Sequence, residues 1–400
     1  RLKQKLMKII TQILIAFLVT FDMQAQSNIE KHSFSLNDLT SSKLSEFFSK
    51  KIKNTQFIML GEQHGIKEVG QITNMLYKLS KPEGYNALCI ETSPFAASVL
   101  NLQFAGTKNP EKGLRKLYEA YPYAIPFYNN KSDVHLFKKV VASNGAIWGI
   151  DQVFMVEFRL VFEYLVHLND NEALKNAVKP LLKEATLDFE KAIKEKNIMA
   201  PFIFKYVDEL HNKLMSLTKS KEEKKILEDL KLTTEIYMYN FQKQWYMNNN
   251  ERAKLMKRNF LNYYNQASSV GKLPKVVFKL GANHVANGLN TNNVLDISNM
   301  ISELATINGK TSLHVYTMGI NGIKNTGNPF APATVVPFDN SKDLPLEVKE
   351  LIKNNTNKYI IIDAAKLRSK ANYLSPKIKS LVLKYDVLIY VNDCQALEDL

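Results

Sequence analysis

Short, mainly apolar runs recur along the chain at 57–60, 87–90, 146–150, 276–280, 313–318, 359–362 and 387–391. They are rich in β-branched and aromatic residues, and so few polar positions predict strands buried on both faces. Between the runs the period changes. Val69, Ile72, Met75, Leu76 and Leu79 recur three and four apart, which lays one apolar stripe along a helix. Strands alternating with amphipathic helices predict an α/β fold, a mostly parallel central sheet flanked by helices and wound right-handed.

The rhythm breaks between 153 and 266. That stretch has no strand-like run, only charged amphipathic sequence such as EALKNAVKPLLKEATLDFEKAIKEK, and it predicts a large helical insert capping the sheet. A coiled coil would need a sustained heptad, which the stretch lacks. The expected organisation is a leader over 1–26, a first α/β part over 27–152, the insert over 153–266 and a second α/β part over 267–400. Within the last part, 319–345 is punctuated by Gly319, Gly322, Gly327, Pro329, Pro332, Pro337 and Pro345 and reads as a long loop, either a functional flap or a surface excursion.

Composition adds class and compartment. At 400 residues and 45% hydrophobic, the chain can bury one large core or two smaller ones, which excludes disorder. Lys3, Lys5 and Lys8 precede an apolar run over 9–21, the pattern of a secretory signal peptide cleaved near Ala25 or Gln26. The run is shorter than the ~20 residues a membrane-spanning helix needs. The expected location is therefore exported, either periplasmic or secreted. In that leader Arg1 and the three lysines stand against Asp22, so of the net charge of +14 the leader holds +3 and the mature chain +11. Such a field favours anionic partners, an envelope surface among them, alongside a small-molecule or peptide substrate. No Lys/Arg block is interleaved with stacking aromatics, so no specific nucleic acid is expected. Cys89 and Cys394 lie in or beside apolar runs and read as buried thiols, with a disulfide between them left open.

The candidate chemistry sits where the runs end. In a parallel α/β sheet, ligands collect outside the carboxyl ends of the strands. The first run ends in Gly61-Glu62-Gln63-His64-Gly65, the second in Glu91-Thr92-Ser93, the third in Asp151-Gln152 and the fourth in Gly281-Ala282-Asn283-His284. If those strands are neighbours, two histidines and three carboxylates share one edge. Glu62 and His64, two apart in extended chain, point to the same side. Glu68, four after His64, is placed to orient the ring if a helix has begun there. Taken singly, each residue has an ordinary structural use as a cap or a satisfied core histidine. Recurrence at four strand ends favours a shared site. His314, inside a strand-like run, reads as packed, and His32, His135, His167 and His211 as surface residues. The GxSxG, HExxH and GxGxxG templates are absent.

The ordered stretches LGEQHG, ALCIETSPF, WGID, NERAKLMKRNF and KVVFKLGANHVANG resemble the superfamily that joins erythromycin-esterase-like enzymes with the ChaN, TraB/GumN and Tiki families. The resemblance spans about 57–288. The Glu-x-His spacing and Gly281-Ala282 before the last histidine are closer to ChaN and TraB/Tiki, whereas Arg252 and the large insert look esterase-like. The resemblance implies a hydrolase. In it His64 is the general base, Glu62 or Glu68 holds its tautomer, His284 or Arg252 stabilises the oxyanion, and Glu91 and Asp151, with Asn283 beside them, position water or substrate. Two histidines and a carboxylate, His64, Glu91 and His284, would also suit a divalent ion, Zn, Mn or Co. The ChaN likeness implies instead a haem- or iron-binding protein without catalysis, with an axial ligand from the tract Tyr118, Tyr121, Tyr123, Phe127 and Tyr128.

Overall fold

The computed structural model describes residue 7 and residues 25–400 apart from 107, 168, 169, 270 and 354. Of the leader expected over 1–26, all but Met7, Ala25 and Gln26 lies outside the described residues. No helix among the described residues is long and apolar enough to cross a membrane.

The main sheet has eight strands: β1 Ser33–Leu36, β2 Thr55–Glu62, β3 Ala87–Ile90, β4 Ala146–Gly149, β5 Val276–Gly281, β6 Thr311–Gly319, β9 Tyr359–Ile362 and β10 Val387–Val391. A separate ribbon pairs β7 Asn321–Asn325 with β8 Val335–Asp339. Across the main sheet the order is β1-β9-β10-β6-β2-β5-β3-β4. Neighbours are parallel from β10 to β4, and β9 runs antiparallel to both β10 and β1. This is the mostly parallel α/β sheet that the alternating runs predict.

Side-chain alternation along each strand builds two cores. In β2, Ile58 and Leu60 pack on one face with Val69, Ile72 and Leu76 of helix Lys67–Ser80 and with helices Ser42–Ile52 and Lys131–Ala142. Phe57 and Met59 face the other way, toward Phe260 of helix Trp245–Ser268 and Ile301 of helix Ile297–Ile307. Each fully buried side chain of this size contributes about 1.5–3 kcal/mol, so the sheet is held between two helical layers.

Between β4 and β5 the described residues form no strand. Helices Phe158–His167, Glu172–Glu195, Asp208–Met215 and Lys221–Phe241 enclose a third apolar cluster of their own, with Phe158, Phe162, Phe202 and Leu230 inside it. The last helix of the predicted insert behaves differently: Met256, Phe260 and Tyr264 of Trp245–Ser268 pack on the sheet. It therefore links cap and sheet, and it carries Arg252.

The structure corrects the long loop read over 319–345. It contains the β7–β8 ribbon, in register from Asn321 opposite Asp339 to Asn325 opposite Val335. Apart from buried Asn325, its residues alternate between half-buried and exposed, so no apolar run announces it. β1 was invisible for the same reason, an edge strand with one buried residue. Cys89 and Cys394 are both buried free thiols, so the disulfide left open is not formed.

Candidate active site

Four consecutive strands of the sheet, β2, β5, β3 and β4, carry the polar strand ends. Because all four are parallel, His64, His284, Glu91 and Asp151 emerge at the same edge. Arg252 comes down on them from helix Trp245–Ser268.

Glu91 is the centre of the cluster. One oxygen, Oε1, accepts from Arg252 Nη2 at 2.7 Å and lies 3.5 Å from His284 Nε2. The other, Oε2, accepts from the Gly281 amide and lies 3.8 Å from His64 Nε2. Residue 281 is glycine for room: a Cβ there would sit 3.1 Å from His64 Nε2 and 3.2 Å from Glu91 Oε2. Arg252 also holds Asp151 with a two-point grip through Nε, at 2.8 Å, and Nη2.

Each imidazole is tied behind by its own carboxylate. His64 Nδ1 meets Glu62 Oε1 at 3.1 Å, and His284 Nδ1 meets Asp296 Oδ2 at 3.0 Å. Glu62 is backed in turn by Lys279, a buried lysine of β5 whose Nζ lies 3.6 Å from Glu62 Oε2 and 2.7 Å from Asp133 Oδ2. The period of the strands puts Glu62 and Lys279 on the same face of adjacent strands, which is why they meet.

These partners set the charges. Burial works against a charged His284 ring, but Asp296 and Glu91 outweigh it and push its pKa up to about 10, so the ring is an imidazolium at neutral pH. Burial likewise opposes protonation of His64, and Glu62 outweighs it, leaving the pKa above the ordinary 6.5. For Glu91, burial alone would raise the value; His284 and Arg252 hold it well below the usual carboxylate range.

A 460 Å³ cavity opens onto His64, Glu91, Arg252 and His284, and a second of 290 Å³ lies across Glu91 and Arg252, walled by Phe127, Phe154 and Tyr237. Asn283 is exposed at the rim of the first, accepting from Thr291 Oγ1 at 2.9 Å. Glu68 is not brought to the cluster. Helix Lys67–Ser80 does begin early enough, but Glu68 is buried facing the C-terminal segment, where it pairs with Lys358 Nζ at 2.7 Å and accepts from the Gln395 amide. His314 is packed as expected, between Ser312 Oγ and the Val285 carbonyl.

Sequence reasoning missed Asp296, Lys279, Asp133 and the ring of Phe127 stacked on His64. One signal was available, since Lys279 is a lone charge inside the strand run VVFKLG. Asp296 stands ahead of a helix and accepts from the Ile297 amide, so in sequence it looks like a cap and nothing more.

The donor set does not fit a resident divalent ion. Among the described residues, no three His, Cys, Asp or Glu side chains gather so as to hold a metal. The carboxylate that would have to bridge, Glu91, is already taken by a guanidinium and a backbone amide. Of the aromatic tract in which a haem ligand was sought, Tyr128 does not offer one. Tyr128 is buried, its hydroxyl accepting from the Glu91 amide and donating to the Lys279 carbonyl.

Neither a family model nor a curated protein matches the sequence. Solved structures do match it. The erythromycin esterase EreC, a mutant in its open conformation, superposes with a TM-score of 0.57 at 13% identity, over 92% of this chain and 98% of that one. The chain has the erythromycin-esterase fold. A Bacillus cereus protein shares it at a TM-score of 0.56 and 16% identity, covering 94% of this chain and 98% of its own. So does a succinoglycan biosynthesis protein, at 0.56 and 13%, with the same coverage. Coverage that complete takes in the helical insert as well as the sheet. The resemblance carried by the sequence motifs is thus matched by the fold.

Proposed function

We propose that the protein is a hydrolase that activates water against an ester or amide carbonyl, with His64 as general base. One observation carries this reading. Two imidazoles from adjacent strands turn their Nε2 atoms toward one carboxylate, while each Nδ1 is tied to a carboxylate of its own.

That wiring suits two different tasks. With Nδ1–H donated to Glu62, neutral His64 presents a bare Nε2 to the cleft and takes a proton from water as its oxygen attacks the carbonyl carbon. The oxyanion that forms faces two cations, the buried His284 imidazolium and Arg252, whose charges are already in place to stabilise it. Glu91 keeps those cations apart and in place. The His64 imidazolium then returns its proton to the departing alcohol or amine, so water and ester yield acid and alcohol. The esterase fold supports the reaction class by analogy.

A panel of ester and amide substrates tests the proposal. A positioned base contributes on the order of 10²–10⁴ in rate, so His64→Ala should lose that factor in kcat while its thermal midpoint stays near that of wild type. Turnover by His64→Ala equal to wild type would remove the reading.

A further inference from the structure

The imidazole of His64 is 31% exposed, and only its edge is hydrogen-bonded. An edge contact leaves the tilt of the ring loosely set, because the last side-chain torsion of histidine is broad. Phe127 lies flat on that ring, with centroids 4.4 Å apart and planes 14° from parallel. Its backbone is left-handed, φ 66°, a conformation that a bulky residue keeps only where its surroundings impose it.

The surroundings do impose it. In the turn of the β7–β8 ribbon, Gly327 presses on the Phe127 ring so closely that a Cβ would lie 2.2 Å from Cε1. The ribbon is seated beside His64 itself, since the Asn325 amide donates to the Gly65 carbonyl at 2.9 Å and a Cβ on Gly65 would meet Asn325 O at 1.9 Å. From the other side Asn130 Nδ2 donates to the Phe127 carbonyl at 2.9 Å. The ring is caught between the ribbon and the base.

We propose that Phe127, held by the ribbon turn at Gly327, is a positioning residue for His64, fixing the imidazole plane so that Nδ1 meets Glu62 and Nε2 faces Glu91. The inference rests on the hydrolase reading for its catalytic meaning, but its first test reads His64 directly. In the ¹⁵N-labelled protein, above the pH at which His64 titrates, its ring resonances are assigned by their disappearance in His64→Ala. Wild type and Phe127→Tyr should show one protonated and one bare nitrogen, with well-separated shifts. In Phe127→Leu, which keeps bulk without a flat face, the two shifts should draw together as the ring samples both tautomers. Gly327→Ala should do the same by pushing the Phe127 ring aside while residue 127 itself is unchanged, and it serves should Phe127→Leu fail to fold. Separated shifts retained in the folded Phe127→Leu or Gly327→Ala protein would overturn the proposal.

The kinetic arm follows on an ester substrate. Phe127→Leu should lower kcat up to ~10²-fold with KM little changed, as small misplacements of a catalytic group do, and Phe127→Tyr should restore most of it. A wild type that turns over neither ester nor amide defeats the hydrolase reading and leaves the tautomer result to decide Phe127.

Discussion

Two histidines that look alike in sequence become different reagents through the residue behind each. His284, between Asp296 and Glu91, stays protonated until about pH 10, and Glu62 raises the pKa of His64 above the ordinary 6.5. Separated values of this kind mark acid and base roles. The rate kcat/KM should therefore rise with pH as His64 becomes neutral and fall again as His284 loses its charge, giving a bell with its acid limb above 6.5 and its alkaline limb near 10. Asp296→Asn removes the main support of the His284 charge and should move the alkaline limb down. Glu62→Gln should move the acid limb down instead. Limbs that do not respond to these two variants would sink the assignment. Because Glu91 is committed to Arg252 and the Gly281 amide, dialysis against a chelator should leave activity unchanged; a loss restored by a divalent ion would reverse that conclusion.

At the scale of the element, β5 does more than fill the middle of the sheet. Lys279 is buried with Asp133 and Glu62 as its partners, and Asp133 is itself buried on helix Lys131–Ala142. Lys279→Met would leave buried Asp133 without its counter-charge and Glu62 leaning on His64, and breaking a buried pair from one side costs about 3–5 kcal/mol. Denaturant unfolding should show a loss of that order, and adding Asp133→Asn should recover part of it. A Lys279→Met protein as stable as wild type would mean that the lysine is not charged in the fold. The strand itself was legible as an apolar run, and its lone lysine was visible too. The lysine's partners were not, because Asp133 lies 146 positions away and no local pattern links them.

The whole molecule should be most stable on the acid side of neutrality. His284 has a folded value of about 10 against an ordinary 6.5, so its contribution is complete below 6.5 and fades as pH rises toward 10. Glu91, held below its ordinary 4.5, contributes fully above 4.5 and less as pH falls through its folded value. Buried Glu157, bonded to Ser93 Oγ and the Phe154 amide beneath the cap, is pushed by burial up to about 8. Folding keeps its proton where the unfolded chain would release it, so its effect lowers stability from about 4.5 up to about 8. Thermal midpoints measured across pH should peak between about 4.5 and 6.5. Glu157→Gln should flatten the decline on the neutral side; an unchanged slope would show that this carboxyl ionises freely in the fold.

The apolar runs alone determined which segments become the central strands, and the helical period determined the layers around them. A strand buried on both faces, or a helix with one apolar face, writes its environment into every second or third residue. The sequence likewise placed Glu62, His64, Glu91, Asp151 and His284 just past their apolar runs. The tertiary structure decided that those four strands lie side by side, that Asp296, Lys279 and Phe127 stand behind the histidines, and that Glu68 turns away to Lys358. Those are contacts between distant parts of the chain. Strand order and charge partners follow from how elements pack, which periodicity does not encode.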